Sequence, residues 1–392
     1  MKPSVNQGPS KMPIAFVTRF YGAALGGIGR YEETLFRQLQ RFIAVHHVAV
    51  APLPLPGKIR SLSRLLGVDL PAVMQNNPCY IPRQKETSLI HLSNQTIALA
   101  MLSHHKAKKV ITVHDIIPFV EHPSIGLSAK GAPERCIYHM HLKSLFVADR
   151  IIADSEHTKS DLIHRLHLPA SKIRVVPLGV DTSVFRPLTH LDDVFEKYNL
   201  DPRRAYILYV GSQHPRKNLI TLLHAVIRAG KQHPELQLLV VGASRATQSP
   251  ELAEAIRQAQ QLDLVRLLDL VSEQDLVRLY NLVTLSAMPS RYEGFGLPVL
   301  EAMAAGCPVV ASNATSIPEV VGDAGTLLPP MDVDAWTVAL ISLLAHPQQR
   351  MEMRERGLNR ARQMTWVRTA VSTAEVYAEL LRPMHHRMQQ QQ

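Results

Sequence analysis

Two glutamates, Glu293 and Glu301, stand in the run Arg291-Tyr-Glu-Gly-Phe-Gly-Leu-Pro-Val-Leu-Glu-Ala-Met-Ala-Ala-Gly-Cys-Pro-Val-Val310. The run follows an apolar, strand-like segment, and open α/β sheets bind ligands beyond the carboxyl ends of their strands. Gly294 and Gly296 let the backbone come close to a ligand. Pro298 suits a first helical position and Gly306 a left-handed stop, so a helix is expected between them. Glu293 then lies in the loop before the helix start and Glu301 in its first turn. Free N–H groups and a partial positive charge suit a phosphate there, and the two carboxylates could accept hydrogen bonds from sugar hydroxyls. The plainer reading is that Glu301 complements the helix dipole and the glycines make a tight turn.

Three other segments carry chemistry. In Tyr209-Val-Gly-Ser-Gln-His-Pro-Arg-Lys-Asn-Leu219, Arg216 and Lys217 sit at a strand-to-helix turn. Two cations there could neutralise a departing diphosphate, or simply face solvent. Arg19-Phe-Tyr-Gly-Ala-Ala-Leu-Gly-Gly-Ile-Gly-Arg-Tyr31 is glycine-rich, but Gly26, Gly27 and Gly29 lack the spacing of a dinucleotide fingerprint. Val113-His-Asp-Ile-Ile-Pro118 places His114 at a strand end, where a histidine is either structural or catalytic. Ser155, in Ala153-Asp-Ser-Glu-His-Thr-Lys159, can cap a helix. Asp332-Val-Asp334 imitates a metal motif, yet it opens an apolar helix and reads as a cap with a dipole complement, so no metal site is expected.

The elements that must hold these residues alternate from end to end. Strands are expected at 14–18, 47–51, 110–113, 150–153 and 173–176, then at 206–210, 237–241, 264–268, 282–287 and 308–311. Continuous apolar strands separated by helical patterns indicate parallel sheets buried on both faces, and two such series indicate two doubly wound α/β domains. The length of 392 residues agrees. Pro187 and the polar Thr189-His-Leu-Asp-Asp193 place the boundary near 187, giving domains 1–187 and 188–365. Residues 366–392 should form a helix and polar tail that packs back toward the N-terminal domain.

Composition narrows the partners. Apolar residues at 46% and charged residues at 19% fit a globular chain. Cys79, Cys136 and Cys307 are too few and too far apart for a disulfide framework, which favours a reducing compartment. No apolar run is long enough to span a membrane, and the start of the chain lacks a secretory pattern. Residues 1–187 hold 23 Lys and Arg against 12 Asp and Glu, a balance of +11, and the remainder hold 20 against 21, a balance of −1. The basic half should therefore meet something anionic. Lys58-Ile-Arg-Ser-Leu-Ser-Arg-Leu-Leu66 reads as an amphipathic helix on an anionic membrane or as a core helix with a basic face. His104-His-Lys-Ala-Lys-Lys109 adds a second basic cluster. A nucleic-acid-binding protein is the alternative from another class, but aromatics reach only 5% and no recognition motif is present.

The run Glu293-Gly-Phe-Gly-Leu-Pro-Val-Leu-Glu301 resembles the Glu-x7-Glu motif of family 4 retaining glycosyltransferases of the GT-B fold. The resemblance continues through Pro308-Val-Val-Ala-Ser312 and Ile317-Pro-Glu-Val-Val-Gly-Asp-Ala-Gly325 and covers the layout of the whole chain. It implies two Rossmann-like domains facing across a cleft, the N-terminal one binding acceptor and the C-terminal one binding nucleotide sugar. It assigns Glu293 to the donor sugar, Glu301 to the ribose, and the main-chain N–H groups of Gly294, Phe295, Gly296 and Leu297 to sugar and phosphates. Lys217 would bind the diphosphate, with Arg216 compensating for Ser212, which stands where many members have Arg. Gly26 and Gly27 would be donor contacts, His114 an active-centre contact, and Ser155 an acceptor-side residue. The base pocket would involve Leu268-Asp-Leu-Val-Ser272.

The chain resembles bacterial exopolysaccharide α-mannosyltransferases, which move mannose from GDP-mannose to a polyprenyl-diphosphate-linked oligosaccharide. The resemblance thus implies a peripheral enzyme on the inner face of the cell membrane that needs neither cofactor nor metal. A UDP-dependent glucosyl- or galactosyltransferase, and a sugar-nucleotide epimerase on the same fold, remain alternatives.

Overall fold

The computed structural model describes residues 14–22, 27–51, 80–82, 87–103, 106–121, 132–242 and 249–382. Gly26, Cys79, the 58–66 segment, His104, His105 and the polar tail from 383 lie outside the described residues. The chain divides into two compact units, one of residues 1–177 with 366–392 and one of residues 178–365.

The first unit is built on a six-stranded parallel sheet of β1 (Ile14–Thr18), β2 (Val45–Ala49), β3 (Leu89–Leu92), β4 (Lys108–Val113), β5 (Arg150–Ala153) and β6 (Ile173–Val175). Its order is β2-β1-β3-β4-β5-β6, so the direction of winding reverses between β1 and β3. Apolar side chains such as Val17, Ile90, Ile111 and Ile151 are fully or almost fully buried, as a sheet covered on both faces requires. β3 is absent from the sequence expectation because His91 interrupts its short apolar run. The ring is nonetheless buried, held at Nδ1 by the Tyr377 hydroxyl (2.5 Å) and at Nε2 by the Thr112 hydroxyl (2.8 Å). Tyr377 belongs to the helix Trp366–Leu381, which packs on the helix Gly27–Leu39 of the same unit.

The second unit repeats the plan with β7 (Ala205–Val210), β8 (Leu236–Val241), β9 (Val265–Leu268), β10 (Leu285–Met288), β11 (Val309–Ser312) and β12 (Thr326–Leu328). The order β12-β11-β10-β7-β8-β9 puts its reversal between β7 and β10. β12, three half-buried residues on the sheet edge, has too little apolar signal to be read in advance. Leu219, Leu222, Leu223 and Val226 repeat at helical spacing on the helix Leu219–Ala229 and pack in one core with Trp336. The boundary falls ten residues before the expected 187, because residues 178–187 already pack in this unit. The Val180 N–H donates to the Met364 carbonyl (3.0 Å), and the Phe185 ring lies 6.4 Å from that of Tyr280.

Candidate active site

The reversal point of a doubly wound sheet leaves a crevice beyond the strand ends, where neighbouring loops part in opposite directions. In the second unit the loops leaving β7 and β10 flank that point and carry Arg216, Lys217 and Glu293. The Glu293 carboxylate lies 2.6 Å from Lys217 Nζ through Oε1 and 3.1 Å from Arg216 Nη1 through Oε2. All three sequence-predicted residues therefore form one cluster. Burial works against ionising Glu293, but the adjacent charges of Lys217 and Arg216 outweigh it and hold the carboxyl below its ordinary range.

The backbone holds this cluster in a fixed shape. Residues Pro215–Lys217 form a single 3-10 turn whose first residue is a proline. Asn218 follows in the left-handed conformation (φ 55°), where its buried amide donates to the carbonyls of Pro289 (2.9 Å) and Pro330 (2.6 Å). The Arg291 N–H closes the pair of loops by donating to the Arg216 carbonyl (2.7 Å). On the other side, the Ser316 hydroxyl bonds the carbonyls of Glu293 and Phe295, each at 2.9 Å, and the Glu293 N–H donates to Thr315 Oγ1 (3.0 Å).

Gly296 caps the helix Leu297–Ala304 at φ 110°, in a space where a Cβ would lie 2.7 Å from Ile317 Cδ1. Pro298 is in the first turn, and Gly306 takes the expected left-handed conformation (φ 78°) after the helix. Glu301 is buried on this helix. Gln213 is buried in the loop after β7, with its side-chain carbonyl unpartnered among the described residues. Asp332 caps the helix Val333–Ala345 through the Ala335 N–H (2.9 Å), and among the described residues no three His, Cys, Asp or Glu side chains gather as a metal site would need. Ser272 likewise caps the helix Glu273–Leu282 just after the expected base-pocket segment.

In the first unit, His114 follows β4 and is buried, with Nδ1 at 2.5 Å from Asp154 Oδ2 and Nε2 at 3.1 Å from the Ser93 carbonyl. Both ring nitrogens thus have protein partners. Burial disfavours the imidazolium, but the Asp154 carboxylate and its hydrogen bond raise the His114 pKa above the ordinary imidazole value. Ser155 caps the helix Glu156–Leu166, accepting from the Thr158 N–H (3.0 Å). Gly27 is exposed at the start of the helix Gly27–Leu39.

A glycosyl transferases group 1 family profile matches residues 192–360, and a glycosyltransferase family 4 profile matches residues 25–184. O-antigen chain mannosyltransferase B of Escherichia coli is 30% identical, over 93% of this chain and 99% of its own length. The chain belongs to this glycosyltransferase family. Among solved structures, sucrose-phosphate synthase from Thermosynechococcus elongatus (TM-score 0.70, 24% identity) covers 94% of this chain and 99% of its own. HepE from Anabaena, in complex with UDP and glucose, has a TM-score of 0.67 and 20% identity over 94% of this chain and 99% of its own. These likenesses establish the GT-B fold.

The glycosyltransferase contains supporting residues that sequence reasoning passed over. Glu32, on the helix Gly27–Leu39, is fully buried. It accepts from the N–H groups of Arg19 (3.2 Å) and Phe20 (2.6 Å), the Ser93 hydroxyl (2.5 Å) and the Asn94 amide (3.1 Å). It ties the loop after β1 to the loop after β3 at the reversal point of the first sheet. Asn218, Thr315 and Ser316 do comparable work in the second. A hydroxyl directly before a helical Ile-Pro was the available signal for Thr315 and Ser316, whereas Glu32 carried none, since a helix glutamate ordinarily faces water.

Proposed function

We propose that this glycosyltransferase transfers a hexose with retention, as α-mannose from GDP-mannose, to a polyprenyl-diphosphate-linked oligosaccharide in bacterial exopolysaccharide synthesis. The observation that carries this reading is the full-length similarity to an O-antigen chain mannosyltransferase. Lys217 and Arg216 neutralise the diphosphate as the bond from the sugar C1 to the phosphate oxygen breaks. Main-chain N–H groups from Gly294 to Leu297 and the helix start add to that stabilisation. Glu293 orients the sugar through its hydroxyls, and Glu301 takes the ribose. The acceptor hydroxyl attacks C1 from the face that the diphosphate leaves, and its proton passes to a leaving phosphate oxygen, so the step balances without a protein nucleophile.

Lys217 and Arg216 pair with Glu293, and a bound diphosphate competes for the same cations. No metal is needed on this account, because two side-chain cations and a helix start supply the positive charge. His114, Ser155, Gly26 and Gly27 are assigned to the first unit's part of the reaction. His114, held between Asp154 and Ser93, acts there as a positioning group. The enzyme works at the inner face of the cell membrane, where lipid-linked acceptors are assembled.

The test is label transfer into the lipid fraction of bacterial membranes by the purified chain, with GDP-mannose and UDP-glucose in parallel and a chelator present. Label from GDP-mannose alone is expected. Label only from UDP-glucose would overturn the donor, and label that vanishes with the chelator would overturn metal independence. Glu293→Ala and Lys217→Ala should each lower turnover by about a hundredfold or more. Near-normal turnover in either would remove that residue's role.

A further inference from the structure

The short 3-10 turn Leu145–Val147 is anchored by Leu145, which is fully buried, yet it presents Phe146 (47% exposed) and Val147 (44% exposed) to solvent. The turn is pinned, since Lys172 Nζ bonds the carbonyls of Phe146 (2.8 Å) and Ala148 (3.0 Å). Two further large apolar side chains are nearly half exposed on elements packed against it. Leu102 (48%) is the penultimate residue of the 3-10 segment Gln95–Ser103, and Met140 (47%) lies on the helix Ala132–Ser144. Exposed apolar residues of the second unit, such as Leu262, Leu270 and Met351, instead sit on separate elements.

Cations frame this apolar surface. Lys106 and Lys108, on the segment from Leu102 into β4, and Lys143, in the last turn of the helix before Phe146, are exposed, and Lys172 braces the turn itself. The acid beside them, Asp149, is already engaged by Lys108 at 3.3 Å. Aromatic and aliphatic side chains standing out among lysines suit the boundary between acyl chains and anionic headgroups. A neutral apolar partner would not use the lysines, and an acidic soluble partner would not use the Phe-Val pair.

We infer that Phe146, Val147, Leu102 and Met140, with their surrounding lysines, form the surface that seats this glycosyltransferase on an anionic lipid bilayer. The surface lies at the amino ends of the strands: Lys108 opens β4, Ala148 and Asp149 precede β5, and Lys172 precedes β6. His114 and Ser155 follow the carboxyl ends of β4 and β5. The attachment surface and the two residues thus occupy opposite ends of the strands of one sheet, and the lipid contact leaves the loops that carry His114 and Ser155 uncovered. The inference deepens the membrane element of the proposed function and gives it a surface within the described residues.

The experiment is co-sedimentation of the full chain with phosphatidylcholine vesicles, with and without phosphatidylglycerol. Binding only to the phosphatidylglycerol vesicles, released by salt, is expected. Phe146→Ser with Val147→Ser, and separately Lys106→Glu with Lys143→Glu, should each weaken it by about tenfold or more. Both variants should keep the wild-type circular dichroism, with at most a small drop in melting temperature, since Phe146 and Val147 are only half covered and Lys106 and Lys143 are exposed. No binding by the wild type, or equal binding by the variants, would overturn the inference. So would a wild-type dimer that becomes monomeric on Phe146→Ser and Val147→Ser, which would make the surface a contact between copies. Transfer to a water-soluble acceptor, measured in parallel, should be unchanged in both variants. Absence of transfer by the wild type, with its vesicle binding intact, would count against the proposed function alone.

Discussion

Glu32 gathers four donors onto one buried carboxylate, two of them backbone N–H groups of the loop after β1. A glutamine of the same shape can present an oxygen to only one side. Its NH2 group must then face either Phe20 N–H or the Arg19, Ser93 and Asn94 donors on the opposite oxygen. Glu32→Gln is therefore expected to cost about 1–3 kcal/mol in urea unfolding, despite being isosteric. Equal stability of the two chains would show that the loops after β1 and β3 do not depend on the charge. The neighbouring histidines give a pH prediction with a definite sign. Burial, and then the like charge of His114, hold the His91 pKa down to about 3. The unfolded chain takes up that proton near 6.5 and the folded chain does not. The His91 contribution is thus whole above that value and declines as pH falls below it, by up to about 1.4 kcal/mol per unit. His114, with its pKa raised, behaves oppositely: its contribution is whole below about 6.5 and is lost as pH rises through the folded value. Denaturation across acid pH should give a shallower loss of stability for His91→Gln than for the native chain.

The second reversal point shows which elements could be foreseen. A glycine pair, a proline and a distal glycine around 294–306 state a loop, a helix start and a stop in residue types alone, and the helix Leu297–Ala304 forms where they say. β3 was not foreseeable by the same logic. It is only four residues long, with a histidine that becomes tolerable solely through Thr112 and a tyrosine 286 positions away. Local pattern reports local constraint, and a strand stabilised by distant hydroxyls has little of it. The residue pattern left Arg216 and Lys217 open between a diphosphate clamp and a solvated pair, and the family resemblance alone put them on the donor side with Glu293, whereas the Asn218 bridge to Pro289 and Pro330 depends on tertiary closure. Gly296→Ala tests the foreseeable part. The new side chain would adopt φ 110° against Ile317 Cδ1 at 2.7 Å. A loss of about 1–3 kcal/mol is expected, together with reduced transfer as the helix start shifts from Glu293. Unchanged melting and turnover would mean that the capping geometry relaxes freely.

At the scale of the molecule, one plan has been executed twice, and the chain order hides how the first copy is completed. The first unit takes residues 1–177 and then recruits the segment from Trp366, after the whole of the second unit has been made. The returning helix is integral to the first unit's core. Tyr377 and Trp366 are buried, the Tyr377 hydroxyl bonds His91 on the central strand β3, and the Trp366 ring lies 6.2 Å from that of Tyr31. Removing residues 366–392 would expose the apolar face of the helix Gly27–Leu39 and leave His91 Nδ1 buried without its partner. The second unit, continuous from 178 to 365 with its own core, would keep every strand and capping contact described for it. The truncated chain should therefore lose hydrogen-exchange protection in β1, β3 and β4 while β7, β8 and β10 stay protected. It should also lose transfer activity, although Arg216, Lys217 and Glu293 are all still present. Protection retained across both sheets would mean that helix Trp366–Leu381 is an accessory layer, and that the first unit's core closes before the chain returns to it.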